Sequence, residues 1–369
     1  MALEVPYINI IFQQYAASLI TRSQRGNAIL IIRDDTDKSF SIKKYKDITD
    51  LDKDKALYTD ENYKYIEDVL TFAPYQLFIV RINKTAEEGQ EAPTVSDALN
   101  IIVKNIKTGR ISIAGGTQED FNKLSIWEKA QENSAKTYKV LTYKPTTEPD
   151  CKHVENLSQD YVTFKDDRGK QTGDKYLPSM LGILSSCNIK RSATCFKCTN
   201  LESVEEVEDE TQAINKGKLI MHNTADGPEI VLGINSMTTT NGKTATEDMK
   251  YIDTVEAMDM ILDDIRDAFK EYQGAYKNKL DNQMLLISAI NGYFKTIAKD
   301  DVLDLEFDNK SYIDVKNQRD AWLAAGKTEA AEWDDEKVRH MTFKRKVFLQ
   351  ANIKILGSMD DLDFIINLE

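Results

Sequence analysis

The chain has 369 residues, 41% of them hydrophobic, which is enough to bury a substantial core and, by length, to form two domains. Its 48 Lys and Arg against 61 Asp and Glu leave a formal charge of −13, which argues against a general nucleic-acid binder, because phosphate contacts need clustered cations. No apolar run reaches the roughly 18 residues of a membrane span, and the opening MALEVPYINIIFQQY has neither the basic start nor the cleavage signature of a secretory leader.

In chain order, Val5–Phe12 reads as a strand with Pro6 near its start, a position that favours an edge. Apolar runs at Ala28–Arg33, Gln76–Ile82, Arg110–Ala114 and Tyr138–Tyr143 predict strands. Helical spacing predicts helices at Asn62–Phe72, Val95–Ile106 and Glu119–Glu132. This alternation predicts an α/β domain with a mainly parallel sheet. Residues 145–175 are polar and read as an excursion from that sheet, before an apolar helix at Tyr176–Cys187. The acidic run at 202–210 reads as a solvated face at or near a helix start. Lys218–Asn223 and Glu229–Ile234 read as a hairpin.

From residue 251 the character changes. Ile252, Val255, Met258, Leu262, Ile265, Phe269 and Tyr272 follow the spacing of one long amphipathic helix. A second helix over 282–298 has Leu286, Ile290, Tyr293 and Ile297 on its core face. At the end of the sequence, Val347, Leu349, Ala351, Ile353 and Ile355 alternate with mostly polar neighbours. Leu362, Phe364, Ile366 and Leu368 then do so again. Period two predicts two strands, and an apolar strand at an unpaired edge invites pairing with another chain.

Signals for chemistry are weak. Cys195 and Cys198, with Cys187, Cys151, His153 and His222, offer one compact pair where a structural zinc site needs two, so reduced, buried thiols are expected. Asp50, Asp52, Asp54 and Glu61 match the acidic positions of a calcium loop, but Lys55 stands where its turn glycine belongs. Ala114-Gly115-Gly116-Thr117 joins a strand to a helix without a phosphate-binding fingerprint. With three histidines and no nucleophile elbow, no catalytic residue, cofactor or metal is expected. Arg339, His340, Phe343, Lys344, Arg345 and Lys346 form the one basic patch, suited to an acidic protein partner. Two readings stay open on the residues alone: a self-assembling structural protein, and a cytosolic α/β enzyme or ligand-binding protein without a recognisable motif.

Residues 233–300 and 346–369 resemble the C-terminal region of contractile phage tail-sheath proteins, including the sheaths of R-type bacteriocins and other phage-tail-like particles. The resemblance lies in Gly233-Ile234-Asn235-Ser236-Met237-Thr238-Thr239-Thr240, in Val255-Glu256-Ala257-Met258-Asp259-Met260-Ile261, in Ser288-Ala289-Ile290-Asn291-Gly292-Tyr293-Phe294-Lys295 and in Ser358-Met359-Asp360-Asp361-Leu362. Val5-Pro6-Tyr7-Ile8-Asn9 is similar to the family's opening, with its proline displaced. The resemblance implies a non-enzymatic subunit, made in the bacterial cytoplasm, that stacks as hexameric rings around a tail tube and contracts. The implied organisation is an exchange arm (1–22), an outer α/β domain (23–234), an inner α+β domain (235–345) and a C-terminal strand pair (346–369). Strand exchange with neighbouring copies is expected through Val5, Tyr7, Ile8, Ile10, Val347, Leu349, Ile353, Ile355, Leu362, Phe364, Ile366 and Leu368. Lys316, Arg319, Arg339, Lys344, Arg345 and Lys346 are the expected tube-facing residues. The expected partners are other copies, the tail tube, the baseplate and the tail terminator, with no nucleic acid and no membrane.

Overall fold

The computed structural model describes residues 20–86, 89, 91–187 and 189–367, so the expected opening strand and Leu368 lie outside the described residues. By compactness the described chain divides into two units, 23–263 with 355–367, and 20–22 with 264–354. The division falls inside a long helix, whereas the sequence reading divides the chain at 234/235.

The first unit is built on apolar strands. β1 (Asn27–Arg33) has Ala28, Ile29, Leu30, Ile31 and Ile32 wholly buried. It is followed by β2 (Ile42–Tyr45), α1 (Ile48–Asp52), α2 (Asp60–Leu70), β3 (Gln76–Ile82), α3 (Val95–Asn105), β4 (Arg110–Ile113), α4 (Gln118–Asn133), β5 (Lys139–Tyr143) and β6 (Val154–Leu157). These strands form one sheet in the order β2-β3-β1-β4-β5-β6. All neighbours are parallel except β2, which pairs antiparallel with β3 at the edge. Burial on both faces explains the near-continuous apolar sequences of β1 and β3. The expected α/β class and mainly parallel sheet are what the structure has. One expectation needs correcting: β6 lies within the supposed excursion at 145–175 yet extends the sheet, pairing with β5. Its sequence, VENL, hid it, because two of its four buried residues are polar.

The rest of this unit carries β7 (Tyr161–Phe164), β8 (Lys170–Thr172), α5 (Leu177–Ser186), β9 (Leu201–Val204), α6 (Glu210–Asn215), β10 (Met221–Thr224) and β11 (Gly227–Ile230). β8, β7 and β9 form a three-stranded antiparallel sheet, and β10–β11 is the expected hairpin, with Met221 opposite Ile230. The apolar helix α5 packs on α2 and on β1 and β4. The approach is close enough that a Cβ on Gly182 would lie 2.4 Å from the Val69 carbonyl oxygen, so only glycine fits there.

The long helix α7 (Ile252–Tyr272) has the expected length, and its expected face holds in part: Ile252, Val255 and Tyr272 are buried and Met258, Ile265 and Phe269 half-buried. Leu262 is 41% exposed, while Glu256, Asp259 and Asp263 are buried, for reasons given below. The second unit continues with α8 (Leu280–Lys299), β12 (Lys310–Ile313), α9 (Val315–Ala324), α10 (Asp335–His340) and β13 (Leu349–Asn352). Leu286, Ile290, Tyr293 and Ile297 are all buried on α8, as their spacing predicts. Trp333, Ala330 and Val338 form a small separate core beneath Trp322 and Met341. No helix among the described residues is long and apolar enough to cross a membrane.

Candidate functional site

β12 and β13 pair antiparallel, with Ile313 opposite Leu349 and Lys310 opposite Asn352. They form a two-stranded sheet in which the outer edge of β12 is covered by Asn291 of α8, whose Oδ1 accepts from the Ser311 N–H at 2.7 Å, while the outer edge of β13 has no strand partner among the described residues. The alternation read over 347–355 holds in part. Val347, Leu349, Ile353 and Ile355 are half-buried, whereas Gln350, Asn352 and Lys354 are exposed. Regular pairing is shorter than expected, although the Asp314 N–H donates to the Phe348 carbonyl at 3.0 Å and the Asp304 N–H to that of Lys354 at 2.8 Å.

Beyond it, residues 356–367 form no helix or strand, so the second expected strand is not made among the described residues. Met359, Leu362, Phe364, Ile365 and Ile366 are all exposed, Leu362 by 85% and Ile365 by 84%. Both parities of the alternation face solvent, and no backbone–backbone hydrogen bond ties the segment to another described residue. Val5, Tyr7, Ile8, Ile10 and Leu368 lie outside the described residues.

The six basic residues expected to face a tube lie on three pieces of the second unit. Lys316 and Arg319 are on α9, Arg339 on α10, and Lys344, Arg345 and Lys346 on the segment before β13. Arg319 is partly neutralised by Asp335 at 2.7 Å, and the other five are exposed. Lys344 and Lys346 lie over the rings of Phe343 and Phe348, which pack edge-on to each other, and Phe343 packs likewise on Trp322. Arg345 also borders a groove of about 260 Å³ with Phe269, Tyr272 and Tyr276.

The other candidates are dispersed or self-satisfied. Cys198 packs on Met221, Cys151 donates to Glu132, and His222 lies between Glu210 and Glu229. Among the described residues no group of three His, Cys, Asp or Glu could hold a metal ion. Burial pushes Cys187 up to about 11 and Cys198 up to about 12, so both are neutral thiols near pH 7. In the acidic loop, Asp50 pairs with Lys53, Asp52 accepts from Tyr63, Asp54 from Lys43 and Tyr45, and Glu61 from Tyr65 and Lys175. At the Gly115-Gly116 turn, Thr117 and Asp120 cap α4 reciprocally, and Asp120 grips Arg33 with both oxygens. Arg33 ends β1, where the strand order reverses and doubly wound sheets commonly take ligands. Here the protein's own ion pair sits at that position.

Sequence reasoning missed a buried group of charges among the described residues. Inside the first unit, the Arg25 guanidinium contacts Glu256 at 2.5 Å and Asp263 at 2.9 Å. The Lys139 ammonium contacts Asp259 at 2.5 Å and Glu256 at 2.9 Å. Arg110 binds both oxygens of Glu155 and donates to the Leu184 carbonyl. His153 Nε2 lies 3.0 Å from Asp259. Burial would raise the acids of α7, but Arg25, Lys139 and Arg110 hold Glu256 well below the usual carboxylate range, and Lys139 and His153 hold Asp259 down. These contacts explain why the charged side of α7 faces inward.

Comparisons with known proteins agree with this architecture. Residues 244–369 match the family model described as the phage tail sheath C-terminal domain. A tail sheath protein of Clostridium phage phiCD119 is 24% identical over 371 residues, covering 98% of both chains. The sheath tail protein of Desulfitobacterium hafniense superposes with a TM-score of 0.65 at 13% identity, covering 84% of this chain and 94% of that one. The contracted helical sheath of the anti-feeding prophage gives a TM-score of 0.69 at 12% identity, covering 100% of both. The C-terminal third therefore carries the phage tail sheath C-terminal domain, and over its full length the chain is similar in sequence to a tail sheath protein and in fold to contractile sheath subunits.

Proposed function

We propose that this chain is the repeating subunit of a tail sheath, made in the bacterial cytoplasm and stacked as hexameric rings around a tail tube, with contraction driving the tube through a target envelope. The observation that carries this reading is the apolar segment at 356–367, exposed on both parities and without a backbone–backbone hydrogen bond to another described residue. Such a segment finds its hydrogen bonds on another copy, where main-chain pairing supplies strength and alternating side chains fix register. The outer edge of β13, which has no strand partner among the described residues, is the receiving strand in the same family-matched region. The opening residues Val5, Tyr7, Ile8 and Ile10 serve as the second exchange arm. Links of this kind persist while rigid bodies rotate, so the array shortens without dissociating. The 23–234 region is the outer domain, 235–345 the inner one, and 346–369 the exchanged strand pair. Lys316, Arg319, Arg339, Lys344, Arg345 and Lys346 face the tube, and the ends of the array meet a baseplate and a tail terminator.

Deleting residues 361–369 tests this directly. The truncated chain is expected to remain a folded, soluble monomer that no longer polymerises, read by circular dichroism and electron microscopy. Tubes of normal diameter from the truncated chain would overturn the reading.

A further inference from the structure

Glu128 stands apart from the other charges of the buried cluster. It lies on α4, wholly buried, and neither carboxyl oxygen has a hydrogen-bond partner among the described residues. The groups around it are Lys139 on β5, Asp259 on α7, Glu155 on β6 and Glu132 on its own helix, with Tyr138 and Cys151 beside them. His153, just before β6, is the cluster's other titratable group. Its Nε2 meets Asp259, its Nδ1 lies 3.7 Å from Glu132, and the Lys139 charge is also near.

Counting charges shows what the cluster requires. Arg25, Arg110, Lys139 and a protonated His153 supply four positive charges. Glu155, Glu256, Asp259 and Asp263 supply four negative ones, and Glu132 is matched at the rim by Lys152. An ionised Glu128 would be a fifth acid with no hydrogen-bond donor, a state that burial strongly disfavours.

We propose that Glu128 is stored in the fold as a neutral acid and that, together with protonated His153, it forms a proton-dependent latch holding the Ile252–Asp263 half of α7 to the sheet. Losing either proton leaves the cluster with excess negative charge facing Glu256 and Asp259, so the latch loosens as pH rises. The sign follows from both groups having folded values above their unfolded ones. Burial raises Glu128 far above the usual carboxyl range, while for His153 the lowering effect of burial is outweighed by Asp259 and Glu132. Their stabilising effect is full below the unfolded values, about 4.3 for Glu and about 6.5 for His, and is lost as pH climbs through the folded ones. Glu132, Glu256 and Asp259 are depressed, and Arg25, Arg110 and Lys139 raised, so none of these offsets the change above neutrality. This inference does not depend on how copies assemble.

Hydrogen exchange of the full-length protein, corrected for intrinsic rates, tests the latch at neutral pH and at about pH 9. Residues 252–263 of the wild type are expected to lose protection tenfold or more on alkalinisation, and those of Glu128→Gln several-fold less. Equal loss in both proteins, or none in the wild type, overturns the proposal. Infrared spectroscopy of the wild type alone keeps the test open should the variant fail to fold. A protonated-carboxyl C=O band present at neutral pH and fading in alkali supports a stored proton, and its absence at neutral pH overturns it.

Discussion

Lys139 illustrates how single residues carry this fold. Its ammonium is enclosed between β5 and α7, 2.5 Å from Asp259 and 2.9 Å from Glu256, and its charge is what allows two carboxylates of α7 to be buried side by side. A buried ion pair adds little net stability over a well-packed apolar substitute, because desolvation nearly cancels the attraction. Removing only one partner is different, since the stranded charges keep the desolvation cost and lose the compensation. Lys139→Met is therefore expected to destabilise the chain by about 3–5 kcal/mol. The exposed Lys270–Asp267 pair is the control, and Lys270→Met should cost less than about 1 kcal/mol. Denaturant midpoints of the two variants check the contrast, and similar small losses would mean that water reaches the cluster.

Elements differ in how openly their sequences announce them, and the C-terminal segment shows both extremes. Val347–Ile355 was legible because an edge strand with one half-buried face alternates, and β13 forms there. The alternation at 362–368 was equally clear, yet no strand forms over 362–367 among the described residues. Phe364→Asp combined with Ile366→Asp should therefore leave the melting temperature of the unassembled chain within a degree or two, because these side chains are 75% and 67% exposed, while abolishing polymers in electron micrographs. A large drop in the monomer's melting temperature would show that the segment packs on its own chain. The sheet was readable because β1 and β3 are largely apolar on both faces and β4 alternates Ile111 and Ile113 with Arg110 and Ser112, whereas β6 was lost behind Glu155 and Asn156. For α7 the spacing gave the helix and part of its face, but not Glu256, Asp259 and Asp263, since apolar periodicity cannot foresee that charged residues are buried against charged partners. Arg25 meets Glu256 across 231 residues of sequence and Lys139 meets Asp259 across 120, separations at which local pattern carries no information. The basic residues at 339–346 were visible as a patch, but the Arg319–Asp335 pair, which offsets the charge of another expected tube-facing residue, appears only in the folded chain.

At the scale of the whole molecule, the charge of −13 constrains how copies can associate. Each added subunit brings like charge to a growing array, so long-range electrostatics oppose assembly even where local contacts favour it. Main-chain pairing and apolar contact act only at short range and are barely screened by salt. Repulsion between exposed charges is screened, with a Debye length of about 30 Å at 0.01 M falling to about 8 Å at 0.15 M ionic strength. If terminal-strand pairing dominates association, the critical concentration for polymerisation should fall several-fold across that range, measured by light scattering on purified protein. The chain lacking residues 361–369 should scatter as a monomer throughout, because screening removes an obstacle but supplies no attraction. The opposite slope, with salt dissolving polymers, would mean that the basic residues around Lys316 and Arg345 bind acidic surfaces of neighbouring copies. In that case charge pairing rather than strand pairing would hold the array together, and the exposed apolar segment would need another role.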